Sequence, residues 1–191
     1  MKLATTREVY AYWNALRRAR AAPERGEFDP AAIRDSLPDL FILEIDAAGR
    51  WPVRLSGTRL DAAFGPLIGR SFLEIFAPGP ARREAARLLR AVADDHEALV
   101  CGLSAVTPHG RGPDFEFLAL PLRDGGRTHR SLIGALAAAG PPALAAPTLR
   151  LGEPATLRIL RSEESRAAAP PAPPAAPRRR GHLVVYEGGK R

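Results

Sequence analysis

Cys101 is the one thiol of this 191-residue chain, and His96, His109, His129 and His182 are its only imidazoles. A nucleophilic thiol needs a basic neighbour or a helix start to lower its pKa. Cys101 lies mid-way along an alternating apolar run with neither close in sequence, so it reads as an inert core residue. The histidines are scattered, and no Cys/His spacing matches a metal site. Gly65-Pro-Leu-Ile-Gly69 lacks the Gly-Lys-Ser/Thr ending of a phosphate loop, and the Gly69-Arg70-Ser71 that closes it follows no strand. Asp61 and Glu74 read as solvated helix faces, and neither Ser56 nor Ser104 has a base in a recognisable motif. No catalytic residue and no metal ligand is assigned, and the chain is not expected to be an enzyme.

What the sequence does supply is apolar periodicity. Residues 39–46 form an apolar run bounded by turn residues. In 51–57, Trp51, Val53 and Leu55 alternate with Arg54 and Ser56, and four residues with a glycine join the two runs, which predicts a β-hairpin. Short helical pieces follow at 58–64 and 71–76. A longer helix is expected over 80–95, with Ala85, Leu88, Leu89 and Val92 on its core side and Arg82, Arg83, Arg87 and Arg90 opposite. Three strands come next, at 98–107, 114–123 and 128–138, with a hairpin signal at Asp124-Gly125-Gly126. The fold class is therefore α+β: a five-stranded antiparallel sheet, with short helices and one longer helix on one face.

Ahead of this stands an amphipathic helix over 5–20. Thr5 and Glu8 have capping-box spacing. Val9, Tyr12, Trp13 and Leu16 form a stripe that either covers the chain's own domain or serves as a dimer helix against a second copy. Asp29-Pro30 starts a short helix that carries Ile33 and Leu37 inward. The expected organisation is an N-terminal helix and linker (1–27), the main domain (28–140), an extension (141–165), an Ala/Pro/Arg-rich linker (166–181) and a short β-like tail (182–191).

A curved sheet facing a girdle of short helices encloses apolar space that is either packed solid or open to a small molecule. The candidate lining is Phe41, Leu43, Leu55, Leu60, Phe64, Phe72, Phe76, Phe115, Phe117 and Ile133. Arg54 and Arg59 are the polar groups that could fix an acidic ligand.

The net charge of +7 suggests nucleic acid, but its distribution weakens that reading. Residues 161–191 hold seven basic and three acidic residues, which leaves +4 of the +7 in the tail. The only lysines are Lys2 and Lys190. The Arg178-Arg179-Arg180 run and the arginine face of 80–95 make a nucleic-acid-associated protein the alternative class, although no nucleic-acid partner is expected. No apolar run approaches the roughly 18 residues of a membrane span, and no apolar signal segment opens the chain, so a cytoplasmic protein is expected.

Four motifs carry a resemblance: Tyr12-Trp13-Asn14-Ala15-Leu16-Arg17, Leu37-Pro38-Asp39-Leu40-Phe41-Ile42-Leu43, Arg54-Leu55-Ser56-Gly57-Thr58-Arg59-Leu60 and Gly69-Arg70-Ser71-Phe72. With the element order, they make residues 5–140 similar to a PAS-like domain family widespread in alphaproteobacteria. The resemblance implies a sensory or protein-interaction domain that binds a small molecule in its core, or signals through a homodimer or an unidentified signalling protein. It names no cofactor. The flavin-binding subgroup carries an Asn-Cys-Arg-Phe type helix motif, whereas Cys101 falls on a strand. Haem-binding members use a helix histidine, and none lies between Asp39 and Asp95.

Overall fold

The computed structural model describes residues 1–46, 48–95, 97–107, 110–125, 127–140 and 149–160, together with 178–180 and 183–185 in the tail. The chain divides into two compact units, residues 1–160 and 161–191. In the second, β7 (Arg178–Arg180) pairs antiparallel with β8 (Leu183–Val185). Residues 141–148 of the expected extension and 166–177 of the expected linker lie outside the described residues.

The first unit is built on one antiparallel sheet in the order β2-β1-β5-β4-β3-β6. Its strands are β1 (Leu40–Glu44), β2 (Val53–Ser56), β3 (Ala98–Thr107), β4 (Gly110–Asp124), β5 (Arg127–Ala138) and β6 (Arg150–Leu160). The first five match the expected elements. The sixth corrects the expected strand count from five to six: it lies inside the expected extension 141–165 and runs through Pro154. Proline lacks the N–H a central strand needs. Here it sits on the sheet's edge, opposite Leu103, and the pairing slips in register on both sides of it.

The sheet is covered on both faces. On the inner face lie α2 (Thr58–Phe64), a 3-10 turn (Phe72–Ile75) and α3 (Pro80–Asp95). α3 buries Ala85, Leu88, Leu89 and Val92, the stripe its spacing predicts. On the outer face lies α1 (Ala4–Arg17). Its Val9 and Trp13 are buried with Leu40, Ile42, Leu118, Leu120, Ile133 and Ala135 of the sheet. The N-terminal helix is thus the domain's second layer. The cause is in β4 and β5: Leu118, Leu120, Ile133 and Ala135 are apolar on the side away from Phe117 and Leu132, and need cover of their own. Trp13 Nε1 donates to Pro121 O at 2.8 Å, so its one polar atom is satisfied where the ring is buried. The Arg17 guanidinium stands 5.5 Å from the ring centroid.

α1 starts two residues earlier than its apparent capping box would have it. Leu3 is the N-cap and offers no side-chain bond. A carboxylate 113 residues away does the capping: Glu116 on β4 accepts from the N–H groups of Lys2 at 2.7 Å and Leu3 at 3.1 Å, and from the Thr6 hydroxyl. Free N–H groups at a helix start attract a negative charge, so one side chain both caps α1 and holds it to the sheet. Burial pushes the Glu116 carboxyl up, but the Thr6, Lys2 and Leu3 donors outweigh it and hold it below the usual glutamate range. A depressed folded value means the stabilisation is present above the ordinary glutamate pKa and is lost as pH falls through the folded one. Glu116→Gln should therefore lose about 1.5–3 kcal/mol at neutral pH. In urea titrations its difference from the unchanged protein should shrink below about pH 4. A difference that does not depend on pH would contradict this.

The other edge of the sheet positions the inner layer. β2 is short, and residues 69–72 run along its free side. Val53 N donates to Arg70 O at 2.9 Å, Gly69 N to Val53 O at 2.8 Å and Phe72 N to Trp51 O at 2.8 Å. This pseudo-strand delivers Phe72 into the core.

Candidate functional site

Eight of the eleven candidate lining residues meet in one cluster between the sheet and the inner helices: Phe41, Leu43, Leu60, Phe64, Phe72, Phe76, Phe115 and Phe117. Their rings interlock. Phe41 and Phe72 have centroids 4.5 Å apart, and Phe41 stacks on Phe117 at 5.6 Å with an interplanar angle of 5°. Phe72 also meets Phe76 at 6.0 Å and Phe117 at 6.1 Å, and Phe64 meets Phe115 at 5.9 Å. The Phe41 ring lies over Gly134 of β5. A Cβ there would stand 2.3 Å from Phe41 Cζ and 2.1 Å from Leu118 O, so only glycine allows the approach.

The other three candidates lie elsewhere. Leu55 and Ile133 belong to the outer-face cluster under α1. The reason is a bulge. Ile42 pairs with Leu55 but Leu43 pairs with Val53, so Arg54 is skipped and Leu55 turns to the face opposite Val53. Ile133 pairs with the same Ile42 and shares its outward side. Arg59 does not enter the core: its side chain is 55% exposed and reaches Asp39. Sequence reasoning left out Trp51, Val53, Leu67 and Ile75, all buried in the inner cluster. Trp51 and Val53 lie on the inner side of the hairpin that was recognised.

The inner cluster is closed. Its cavity holds about 10 Å³ and is lined by Phe76, Ala85, Leu88, Leu89, Cys101, Leu103, Phe117 and Pro154. That is about the room one water needs, and a water also needs polar partners. Burial pushes the Cys101 thiol up to about 12, helped by the charge of Glu116, so it stays protonated and inert. Among the described residues, two larger open depressions are found besides. One, of about 450 Å³, runs over β3, β4 and β6 beside the N-terminus. The other, of about 380 Å³, is bordered by Asp46, Arg50, Arg70 and Glu74. There the charged groups already pair with one another, Arg50 with Asp46 and Arg70 with Glu74.

The residues of the second and third motifs converge where the two layers meet. The 3-10 turn Leu37–Asp39 leads into β1. Gly57, the N-cap of α2, lies against it: a Cβ on Gly57 would stand 2.3 Å from Pro38 O and 2.4 Å from Leu37 O. Gly57 N donates to Leu40 O at 2.8 Å. Arg59 Nη1 meets Asp39 Oδ2 at 2.7 Å. Ser56 Oγ donates to Asp61 Oδ1 at 2.6 Å, and that oxygen also accepts from Leu67 N at 3.2 Å. On the outer side, α1 bonds the same stretch through one flank. Ser36 Oγ donates to Glu8. The Tyr12 hydroxyl accepts from Asp29 N at 2.9 Å.

Among the described residues no group of three or more His, Cys, Asp or Glu could hold a metal ion. No helix there is long and apolar enough to cross a membrane. No curated protein matches the chain. A family model described as a PAS domain matches residues 1–137, which takes in α1, both layers and the sheet as far as β5. The chain belongs to the PAS domain family.

Proposed function

We propose that this chain is a non-enzymatic PAS module whose moving part is the inner stretch 58–76. A small molecule or a partner that prefers one arrangement of that stretch would bias it, and the sheet and α1 would present the change to a signalling protein or to a second copy. PAS domains are generally sensory or interaction modules, and that is the starting point. The observation that carries the reading is how the inner stretch is held. α2 has 7 residues and the 3-10 turn that follows has 4. Helices this short have no stability of their own in water. Their position depends on Leu60, Phe64, Phe72 and Ile75 lodging in the core, so they are the natural site of opening short of global unfolding.

The closed core sets the mechanism. A ligand larger than a water has to displace a ring, and Phe72, delivered by the pseudo-strand along β2, is the ring with most neighbours in the aromatic cluster. Binding is then selection of an opened minor state. A homodimer through α1 is part of the proposal. Val9 and Trp13 are engaged within the protomer, and Tyr12 meets Phe28 at 5.4 Å. The side left for a second copy is the exposed one that carries Ala4, Ala11 and Ala15.

Native mass spectrometry of the protein purified from its own host tests the reading. Retained small-molecule mass, a bound protein, or twice the chain mass of 20.5 kDa is expected. A bare monomer under conditions that preserve known complexes would overturn it.

A further inference from the structure

α1 covers the outer face over β4 and β5. Beside its start, the depression of about 450 Å³ opens over β3 and β6. The sheet register explains the hollow. Gly102 of β3 stands opposite Glu116 of β4 on one side and Thr156 of β6 on the other. Paired residues point to the same face, so a glycine between two larger residues leaves a gap in the surface. A Cβ on Gly102 would crowd Thr156 Oγ1 at 2.8 Å. The same oxygen accepts from Gly102 N at 3.1 Å, which leaves the Thr156 hydroxyl proton to give. The charges around the hollow do not balance. Asp114 is taken by Ser104 Oγ at 2.6 Å and by Arg111 Nη2 at 2.9 Å. Glu116 is taken by the start of α1. Lys2 and Arg158 line the hollow too, and neither side chain is paired with an acid among the described residues. The depression beside Arg50 and Arg70 is the opposite case, since each guanidinium there has its own acid.

We propose that this hollow on the outer face binds a small aliphatic carboxylate, its head held by Lys2, Arg158 and the Thr156 hydroxyl and its chain laid along Leu3 and Leu157. The volume is in the range of small-molecule sites, whereas the cavity of the inner cluster holds about 10 Å³. The two unpaired cations set the sign of the ligand, and charge-assisted bonds to them are the strong kind. The floor sets the head group. It is made of strands, whose N–H groups are spent in the sheet, so it offers no cradle of backbone donors to a phosphate. The lining sets the body: Met1, Leu3 and Leu157 are apolar, and Leu157 is 46% exposed. This site goes beyond the sensor reading, because it needs no movement of residues 58–76. It also reaches α1. Lys2 and Leu3 are the residues whose N–H groups Glu116 accepts, so a carboxylate between Lys2 and Arg158 ties the start of α1 to β6.

Titration of the full chain with octanoate, followed by amide proton–nitrogen correlation spectra at low salt, tests this. The amides of Leu3, Gly102 and Thr156 should shift together and saturate. Octanol, the neutral analogue, should leave them in place. Lys2→Gln and Arg158→Gln should each weaken octanoate, and the pair should weaken it at least tenfold. Arg158→Lys, which keeps the charge, should retain most of the affinity. Both side chains are exposed, so the folded spectrum should persist in every variant. Four results would overturn the site: no shift at Gly102 and Thr156 at millimolar octanoate, equal shifts with octanol, undiminished binding by the double variant, or shifts centred on residues 58–76. The last of these would put the carboxylate in the core, which sinks this site and leaves the sensor reading standing.

Discussion

Replacing Gly57 with alanine is expected to remove about 3 kcal/mol of stability, at the upper end of what overpacking usually does. The added Cβ would stand 2.3 Å from Pro38 O, 2.4 Å from Leu37 O and 2.4 Å from Pro38 C. All three are backbone atoms, so no side-chain rotation relieves the contact. Either α2 or the turn before β1 must move, and both are tied: Gly57 N to Leu40 O at 2.8 Å, and Asp39 to Arg59 at 2.7 Å. The φ of Gly57 is −73°, which any residue adopts, so the loss is steric and not conformational. Against a total of about 5–15 kcal/mol for a folded domain, 3 kcal/mol is a large part. Urea denaturation monitored by Trp13 and Trp51 fluorescence reads it. A loss below about 1 kcal/mol would mean the turn and α2 do not approach this closely.

Phe72→Ala should be at least as costly, about 3–5 kcal/mol, and should change what the protein binds. Phe72 is fully buried and its ring contacts those of Phe41, Phe76 and Phe117. Its removal joins new empty volume to a core whose cavity beside Phe76 and Phe117 is about 10 Å³. Apolar cavities of engineered size stay dry and accept small apolar molecules. The variant should therefore be stabilised by benzene or indole in a thermal melt, by the mass-action amount, and the unchanged protein should not. Equal stabilisation of both would show that the native core is already open. The pair of substitutions separates two ideas: Gly57 tests how the layers are joined, and Phe72 tests whether the inner one is closed.

The strands, α2, α3 and the closing aromatic residues were readable from periodicity, because alternation in Phe115-Glu116-Phe117 and the i, i+3, i+4, i+7 stripe of α3 each have one physical solution. The position of α1 was not. Leu118, Leu120 and Ile133 alternate with Phe117, Ala119 and Leu132, and two apolar faces do not say which is inside and which is covered by another element. Leu55 was misplaced for a local reason: a bulge at Arg54 reverses its face, and a bulge has no composition signal when no glycine marks it. β6 was left inside the extension 141–165, because a strand that contains Pro154 belongs on a sheet edge and the edge is known only from the fold. The bonds from Glu116 to Lys2 and Leu3, and from Asp39 to Arg59, join residues far apart in sequence. Glu8, which has the spacing of a local cap with Thr5, is turned instead to Ser36. The motif residues Leu37-Pro38-Asp39 and Gly57-Thr58-Arg59 stand out in the sequence, but only the fold shows that they are one contact and that the contact links layers rather than lining a pocket.

Native-state hydrogen exchange across a series of low urea concentrations reads directly whether residues 58–76 move on their own. Their amides should exchange through openings several kcal/mol easier than those of β4 and β5, with little dependence on urea, while the central strands exchange only by global unfolding. Protection of 58–76 equal to that of β4 and β5, with the same urea slope, would show an inner layer that has no independent motion to transmit.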